Sequence, residues 1–235
     1  MIDFHSHILP GIDDGSKSYE ETLQMLEEAH NVGFDKIIST SHYAVNCYDA
    51  PEYKRKEMVD ELNEDQQVLS EIFLGSEIFL TYNVTELLQE YKASTINGTN
   101  YVLFELPLRN HFSNLKDVIN RLKAENYRLV LAHPERYAVV HKDFKLLYEL
   151  QDLGVLFQAN YGSILGMYGS GAKKTVKRMF KEDMITFLGS DAHKHKSIYL
   201  EVPKAIAMIS KFYSNERLQE LTTYNAEKIL RGEYL

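Results

Sequence analysis

Seven short apolar runs punctuate this chain, and six of them lead to a histidine or a carboxylate. The runs cover residues 2–4, 36–40, 72–74, 101–104, 129–132, 155–159 and 185–188. At or just beyond their ends stand His5, His42, Glu77, Glu105, His133, Asn160 and Asp191. Runs this short, bounded by turn residues, fit strands buried on both faces of a parallel sheet. In α/β barrels the functional side chains gather at the carboxyl ends of the strands. Six ends carrying metal-ligand side chains therefore point to a ring of strands around one site. A doubly wound open sheet is the competing architecture, but its ligand sits at a single switch point.

Two frames sharpen the chemistry. In His5-Ser6-His7 and Asp191-Ala192-His193, alternate residues of an extended chain face the same side, so each frame offers two ligands to one point. Imidazole together with carboxylate suits zinc, iron or manganese better than calcium or magnesium. A lone histidine near a strand end is more often a hydrogen-bonded structural residue, and His42 by itself is ambiguous. The i, i+2 pair His5 and His7 favours ligation. Glu77 and Glu105 directly follow apolar runs, where an unpaired carboxylate is costly and a metal removes the cost. Asp13 and Asp14 lie in Pro10-Gly11-Ile12-Asp13-Asp14-Gly15-Ser16, and spacing leaves ligation and an Asx-turn equally open for them. In His133-Pro134-Glu135-Arg136, the histidine can ligate and Arg136 has the planar fork that holds a phosphate. Its ordinary role would be a salt bridge to Glu135 or a neighbour. His30, His111, His141 and His195 default to surface or core positions.

Helical stretches separate the runs. Ser18-Tyr19-Glu20-Glu21 is a capping box opening a helix to about residue 32, with Glu21 able to return to the N-cap amide and Gly33 ending it. Further helices are expected over residues 51–70, 115–125, 144–153, 172–181, 202–212 and 216–230. Gly166-Met167-Tyr168-Gly169-Ser170-Gly171 lacks a phosphate-loop lysine and reads as a flexible connection or a lid. No repeat, linker or low-complexity tract divides the chain, so residues 1–235 are read as one domain.

Composition narrows the function. A net charge of -8, with no long basic block, argues against a nucleic-acid partner. The basic group Lys173, Lys174, Lys177 and Arg178 has helical spacing and reads as a solvated face. No apolar stretch approaches the ~18 residues that span a bilayer, so no integral membrane segment is expected. The opening Met1-Ile2-Asp3-Phe4-His5 does not have the pattern of a signal peptide. One cysteine, Cys47, excludes an internal disulfide framework and fits a reducing cytoplasm. Six residues after it comes Tyr53, so a Cys-x5-Arg phosphatase loop is absent, as are Gly-x-Ser-x-Gly and P-loop motifs.

The ordered set of His-x-His, isolated His, glutamates, later His and Asp-x-His resembles the polymerase-and-histidinol-phosphatase (PHP) superfamily. More narrowly, His5-Ser6-His7-Ile8-Leu9-Pro10-Gly11-Ile12-Asp13-Asp14-Gly15 resembles the bacterial PHP protein-tyrosine phosphatases of capsule and exopolysaccharide loci. So do Gly75-Ser76-Glu77-Ile78, Ala132-His133-Pro134-Glu135-Arg136, Gly189-Ser190-Asp191-Ala192-His193 and the tail Tyr224-Asn225-Ala226-Glu227-Lys228-Ile229-Leu230. The resemblance implies an α/β fold, a distorted (β/α)7 barrel, with three divalent ions, manganese above iron, zinc or cobalt. By motif the ligands would be His5, His7, Asp14, His42, Glu77, Glu105, His133, Asp191 and His193, which raises Asp14 above Asp13. Arg136 would bind the phosphate and act in catalysis. A second family arginine falls on Ile198 and is absent, leaving Lys196 or Lys194 as substitutes. The implied reaction is phosphotyrosine hydrolysis by a metal-activated hydroxide, with an autophosphorylating bacterial tyrosine kinase as partner. A small-molecule PHP phosphatase, such as one for histidinol phosphate, is the second reading. A metal-binding regulatory module without turnover is the third, and a nuclease the fourth. Oligomeric state stays open, a homo-oligomer included.

Overall fold

The computed structural model describes residues 1–110 and 112–235; the reading of His111 therefore lies outside the described residues. Among the described residues, nine strand segments follow the apolar runs: β1 Ile2–Ser6, β2 Lys36–Ser39, β3 His42–Tyr43, β4 Glu71–Leu74, β5 Glu77–Phe79, β6 Tyr101–Glu105, β7 Arg128–Ala132, β8 Leu156–Asn160 and β9 Phe187–Gly189. All pair in parallel, in the orders β1-β2-β4 and β3-β5-β6-β7-β8-β9. The two sheets are one curled sheet broken at a single level. The second apolar run forms β2 and the chain jogs just past it into β3; the third forms β4 and the chain jogs just past it into β5. Hydrogen bonds cross the jog, from Gly75 N to Ser39 O at 2.8 Å and from Glu77 N to Thr40 O at 2.9 Å. On the other side the last run meets the first. Asp191 N donates to His5 O at 2.7 Å, His7 N donates to Ala192 O at 2.9 Å, and Ser6 bridges Ala192 in parallel. The curl thus returns on itself, as a ring of seven runs requires.

Strand alternation then divides the side chains. Ile2, Phe4, Tyr101, Leu103, Val130, Ala132 and Phe187 fill the barrel interior, with Phe4 and Phe187 stacked 4.0 Å apart at centroid. Ile96 and the C-terminal Ala226 and Ile229 join this inner cluster. A larger apolar layer, from Ile8 and Leu9 to Leu221, packs helices on the outside. Because the interior is filled, polar side chains have room only at the strand ends.

Several helix boundaries moved. Ser18 caps the helix Tyr19–Asn31 by accepting from Glu21 N at 3.2 Å, but the Glu21 carboxylate bonds Lys17 N at 3.0 Å, one residue before the expected amide. The helix expected over residues 51–70 is Glu52–Glu64, with Pro51 as N-cap. Asp65 stops it, taking extended backbone while its carboxylate accepts from Gln67 N at 2.8 Å and Tyr19 OH at 2.9 Å. The tail helix is interrupted by a π turn over Glu220–Tyr224, between Asn215–Gln219 and Asn225–Leu230. The glycine-rich segment is a turn between helices: Gly166, at φ 92°, ends Tyr161–Leu165, and Gly169 begins Gly169–Lys181.

Candidate metal centre

His5 and His7 leave the end of β1 with their Nε2 atoms 3.1 Å apart, both rings fully buried. Each ring is oriented from behind. His7 Nδ1 lies 2.8 Å from Asp13 Oδ2, and a carboxylate oxygen can only accept, so Nδ1 carries the proton. His5 Nδ1 lies 3.0 Å from Gln158 Oε1, an oxygen that also accepts from His133 N at 3.2 Å. Both histidines therefore turn an Nε2 lone pair toward the site. This backing by a carboxylate or carbonyl is how ligating histidines are held.

Facing those lone pairs are two carboxylates. Glu77 Oε2 lies 3.2 Å from His5 Nε2, 3.4 Å from His7 Nε2 and 3.1 Å from His42 Nδ1. Asp191 Oδ1 lies 3.5 Å from His5 Nε2 and 3.4 Å from His7 Nε2. Both oxygens are buried and, among the described residues, have no hydrogen-bond partner. Buried acceptors facing buried lone pairs need a cation among them, so the donor set fits a metal. Among the described residues, three overlapping groups have donor atoms within 4.8 Å of one another: His5, His7, Glu77 and Asp191; His7, Asp14, His42 and His193; His42, Glu77 and Glu105. His133 joins through Glu77, its Nε2 2.7 Å from Oε1. All nine expected ligands meet at one place.

Exposure grades across the cluster. The side chains of His5, His7 and Glu77 are closed to solvent, whereas those of His42, Glu105, His193 and Asp14 are 15%, 13%, 31% and 51% exposed. A closed floor and an open mouth are what a site with room for a reactant requires.

The local backbone shows why these residues arrive here. Adding a Cβ to Gly189 would place it 2.6 Å from His5 Cβ and 2.8 Å from Gln158 Nε2, so β9 can approach β1 only with glycine there. His133 and Asp191 both take left-handed backbone, at φ 32° and 56°. At His133 the following Pro134 disfavours the right-handed alternative. Such conformations cost roughly 1 kcal/mol or more each, and they cluster where side chains must be aimed.

Charge in the cluster is strongly coupled. Burial raises the Glu77 carboxyl, but His5, His133 and His42 outweigh it and hold the group well below the usual carboxylate range. Asp191 is likewise held well down, against burial, by His7, His5, His133 and Arg136. Burial alone would lower His7, yet the neighbouring carboxylates of Asp13, Asp191 and Glu77 push it well up. His42 and His133 are raised against burial, chiefly by Glu77.

The two basic candidates differ. Arg136 Nη1 lies 2.5 Å from Asp191 Oδ2, and its guanidinium stacks 4.4 Å from the Tyr168 ring centroid. Glu135 is no partner for it, being buried and bonded to Ser163 Oγ at 2.6 Å and Asn160 N at 2.9 Å. Lys196 is exposed, with its backbone amide on the Glu28 carboxylate at 2.9 and 3.0 Å, and no contact joins its ammonium to the cluster among the described residues. Ile198 is buried in the outer core.

Sequence reading missed the supports. Gln158 orients the His5 ring and accepts from the His133 backbone amide; its Nε2 donates to Asn160 Oδ1 at 2.9 Å, and Asn160 Nδ2 donates to Asp191 Oδ2 at 2.6 Å. Two polar residues at i, i+2 in an otherwise apolar run were the available signal. Asp13 is the other support, and its backbone partners are Gly15 N at 2.9 Å and His42 N at 2.8 Å.

A curled parallel α/β barrel that gathers histidines and carboxylates at its strand ends is the architecture of barrel-type metal-dependent hydrolases, of which the PHP-type fold is one form. Within that class, the family model for capsular polysaccharide synthesis, CpsB/CapC, matches residues 1–231, and the chain belongs to this family. Tyrosine-protein phosphatase YwqE of Bacillus subtilis (strain 168) is 30% identical over 236 residues, covering 99% of this chain and 92% of the relative. Tyrosine-protein phosphatase CpsB of Streptococcus pneumoniae is 28% identical over 243 residues, with both chains covered in full. A crystal structure from work on YwqE of Bacillus subtilis and CpsB of Streptococcus pneumoniae, metal-dependent tyrosine phosphatases, superposes with a TM-score of 0.92 at 29% identity, covering 100% of this chain and 96% of that one. Histidinol phosphate phosphatase from Lactococcus lactis shares the fold at a TM-score of 0.61 and 16% identity, covering 90% of this chain and 93% of that one.

Proposed function

We propose that this chain is a metal-dependent protein-tyrosine phosphatase, one PHP domain over residues 1–235, using no cysteine nucleophile. The observation that carries the reading is the convergence of orphaned Glu77 Oε2 and Asp191 Oδ1 on imidazole lone pairs, beneath a mouth open to solvent. His5, His7, Asp14, His42, Glu77, Glu105, His133, Asp191 and His193 would hold three divalent ions, manganese foremost. Ions bound there would supply Lewis-acid charge and lower the pKa of bound water toward ~7. The chain's own part is positioning. Asp13 and Gln158 keep the His7 and His5 protons on Nδ1, so the Nε2 atoms stay available. Arg136, stacked on Tyr168, is aimed into the cluster and carries a planar fork matched to phosphoryl oxygens, where charge spreads in transfer. A tyrosyl leaving group, with a pKa of roughly 10, departs without a strong general acid. Lys196 is a weaker candidate for substrate contact, from the exposed loop after His193.

The partner we propose is a phosphotyrosine protein of the capsule system, a bacterial tyrosine kinase, met in the cytoplasm. Among the described residues no helix is long and apolar enough to cross a membrane. The test is phosphate release from a phosphotyrosyl peptide by metal-stripped protein with and without manganese. Release should depend on manganese, vanish in His5→Ala and fall in Arg136→Ala. Faster turnover of histidinol phosphate than of the peptide would replace this reading with a small-molecule one.

A further inference from the structure

The helix Glu52–Glu64 turns Arg55, Val59 and Leu62 inward. Arg55 is fully buried, and among the described residues no carboxylate lies within ion-pair distance of it. It also sits in the first turn of its helix, where the backbone dipole is already positive. A lone buried cation in that position is costly and needs compensation. One edge of its guanidinium addresses the jog between β4 and β5. Nη1 donates to Ser76 Oγ and reaches the Gly75 carbonyl at 3.5 Å, while Nη2 donates to the Lys92 carbonyl at 2.9 Å. Ser76 Oγ in turn accepts from Ser94 N at 3.0 Å. The guanidinium also lies 5.6 Å from the Tyr43 ring centroid.

Ser76 precedes Glu77, Tyr43 follows His42, and His42 and Glu77 are register partners across β3 and β5. Those segments have only two and three residues, so their own ladder gives little rigidity. We propose that Arg55 is a positioning residue for the metal centre, clamping the Gly75-Ser76 jog and the Tyr43 ring so that Glu77 and His42 meet Glu105 at one ion. This rests on the metal-centre reading above. It makes a helix outside the barrel part of the site's geometry.

The test titrates metal-stripped wild type, Arg55→Met, Arg55→Lys and Ser76→Ala with manganese, counting bound ions by equilibrium dialysis and recording the manganese EPR spectrum. Wild type should show the exchange-broadened signal of neighbouring ions. Arg55→Met should bind one ion fewer at the same free manganese, or bind it about tenfold more weakly, with that signal reduced. Arg55→Lys should recover part of the loss, and Ser76→Ala should fall between Arg55→Met and wild type. A folded Arg55→Met with wild-type ion count, affinity and spectrum overturns the proposal. If Arg55→Met does not fold, wild-type binding in both Ser76→Ala and Arg55→Lys overturns it equally. A wild type that takes up no divalent metal overturns the underlying metal-centre reading instead.

Discussion

Asp13 and Asp14 are chain neighbours with separate tasks. Asp14 is half exposed and reaches toward His42 and His193, each at 3.5 Å, whereas Asp13 is buried behind His7. Removing the orienting partner of a ligand typically costs 10–100-fold in metal affinity. Asp13→Asn should therefore weaken manganese binding by roughly that factor while leaving the circular dichroism spectrum unchanged. A competition titration against a chelator reads this directly, and unchanged affinity would remove Asp13 from the support of the site. Cys47 stands apart, exposed and outside the cluster. Cys47→Ser should leave turnover of a phosphotyrosyl peptide intact; loss of most activity would contradict a metal-dependent mechanism.

The contacts between elements decide whether these residues meet. β9 reaches β1 through Gly189, and a methyl group there would strike His5 and Gln158. Overpacking of this kind costs about 1–3 kcal/mol. Gly189→Ala should lower the denaturant midpoint accordingly and reduce metal uptake, because the displaced group is His5. A control lies at the start of the first long helix, where Ser18 accepts from Glu21 N. Ser18→Ala should cost about 1 kcal/mol and leave metal affinity unchanged. The seven apolar runs were legible because each obeys a local rule, a buried parallel strand ended by a turn. The continuations just beyond the second and third runs were not, because Ser41 and Gly75-Ser76 look like ordinary strand-end residues. The early stop at Asp65 was equally hidden, since its partner Tyr19 lies 46 residues away.

Across the whole molecule the site couples stability to pH and metal. In the metal-free protein Glu77 and Asp191 are depressed below their ordinary values of 4.5 and 3.8, so their contribution is present above those values and fades as pH falls through the lowered ones. His7, His42 and His133 are raised above 6.5, so theirs is full below that value and fades as pH rises through the raised ones. Metal-free protein should thus be most stable between about pH 4.5 and 6.5 and weaken on the alkaline side. Bound metal displaces those protons, so loaded protein should keep its stability there, and loading should release protons. Ligand at a hundred times its dissociation constant adds about 2.7 kcal/mol. Thermal melts with and without manganese, from roughly pH 3 to roughly 8.5, test both signs; parallel curves would refute the coupling.

The sequence by itself determined the alternation of strand and helix and the residues standing at each strand end. It did so because each pattern is local: alternation decides which side of its own strand a residue faces, and an apolar run decides that the strand is buried. Tertiary structure alone decided how those ends were joined. Asp14 rather than Asp13 faces His193, Arg136 pairs with Asp191 instead of Glu135, and Gln158 aims His5 across 153 residues of chain. Arg55 reaches the Gly75-Ser76 jog from a helix whose sequence reads as long and polar. Those choices depend on register, on the jog in two strands and on the close approach of β9 to β1, and each is a contact between segments that no local pattern encodes.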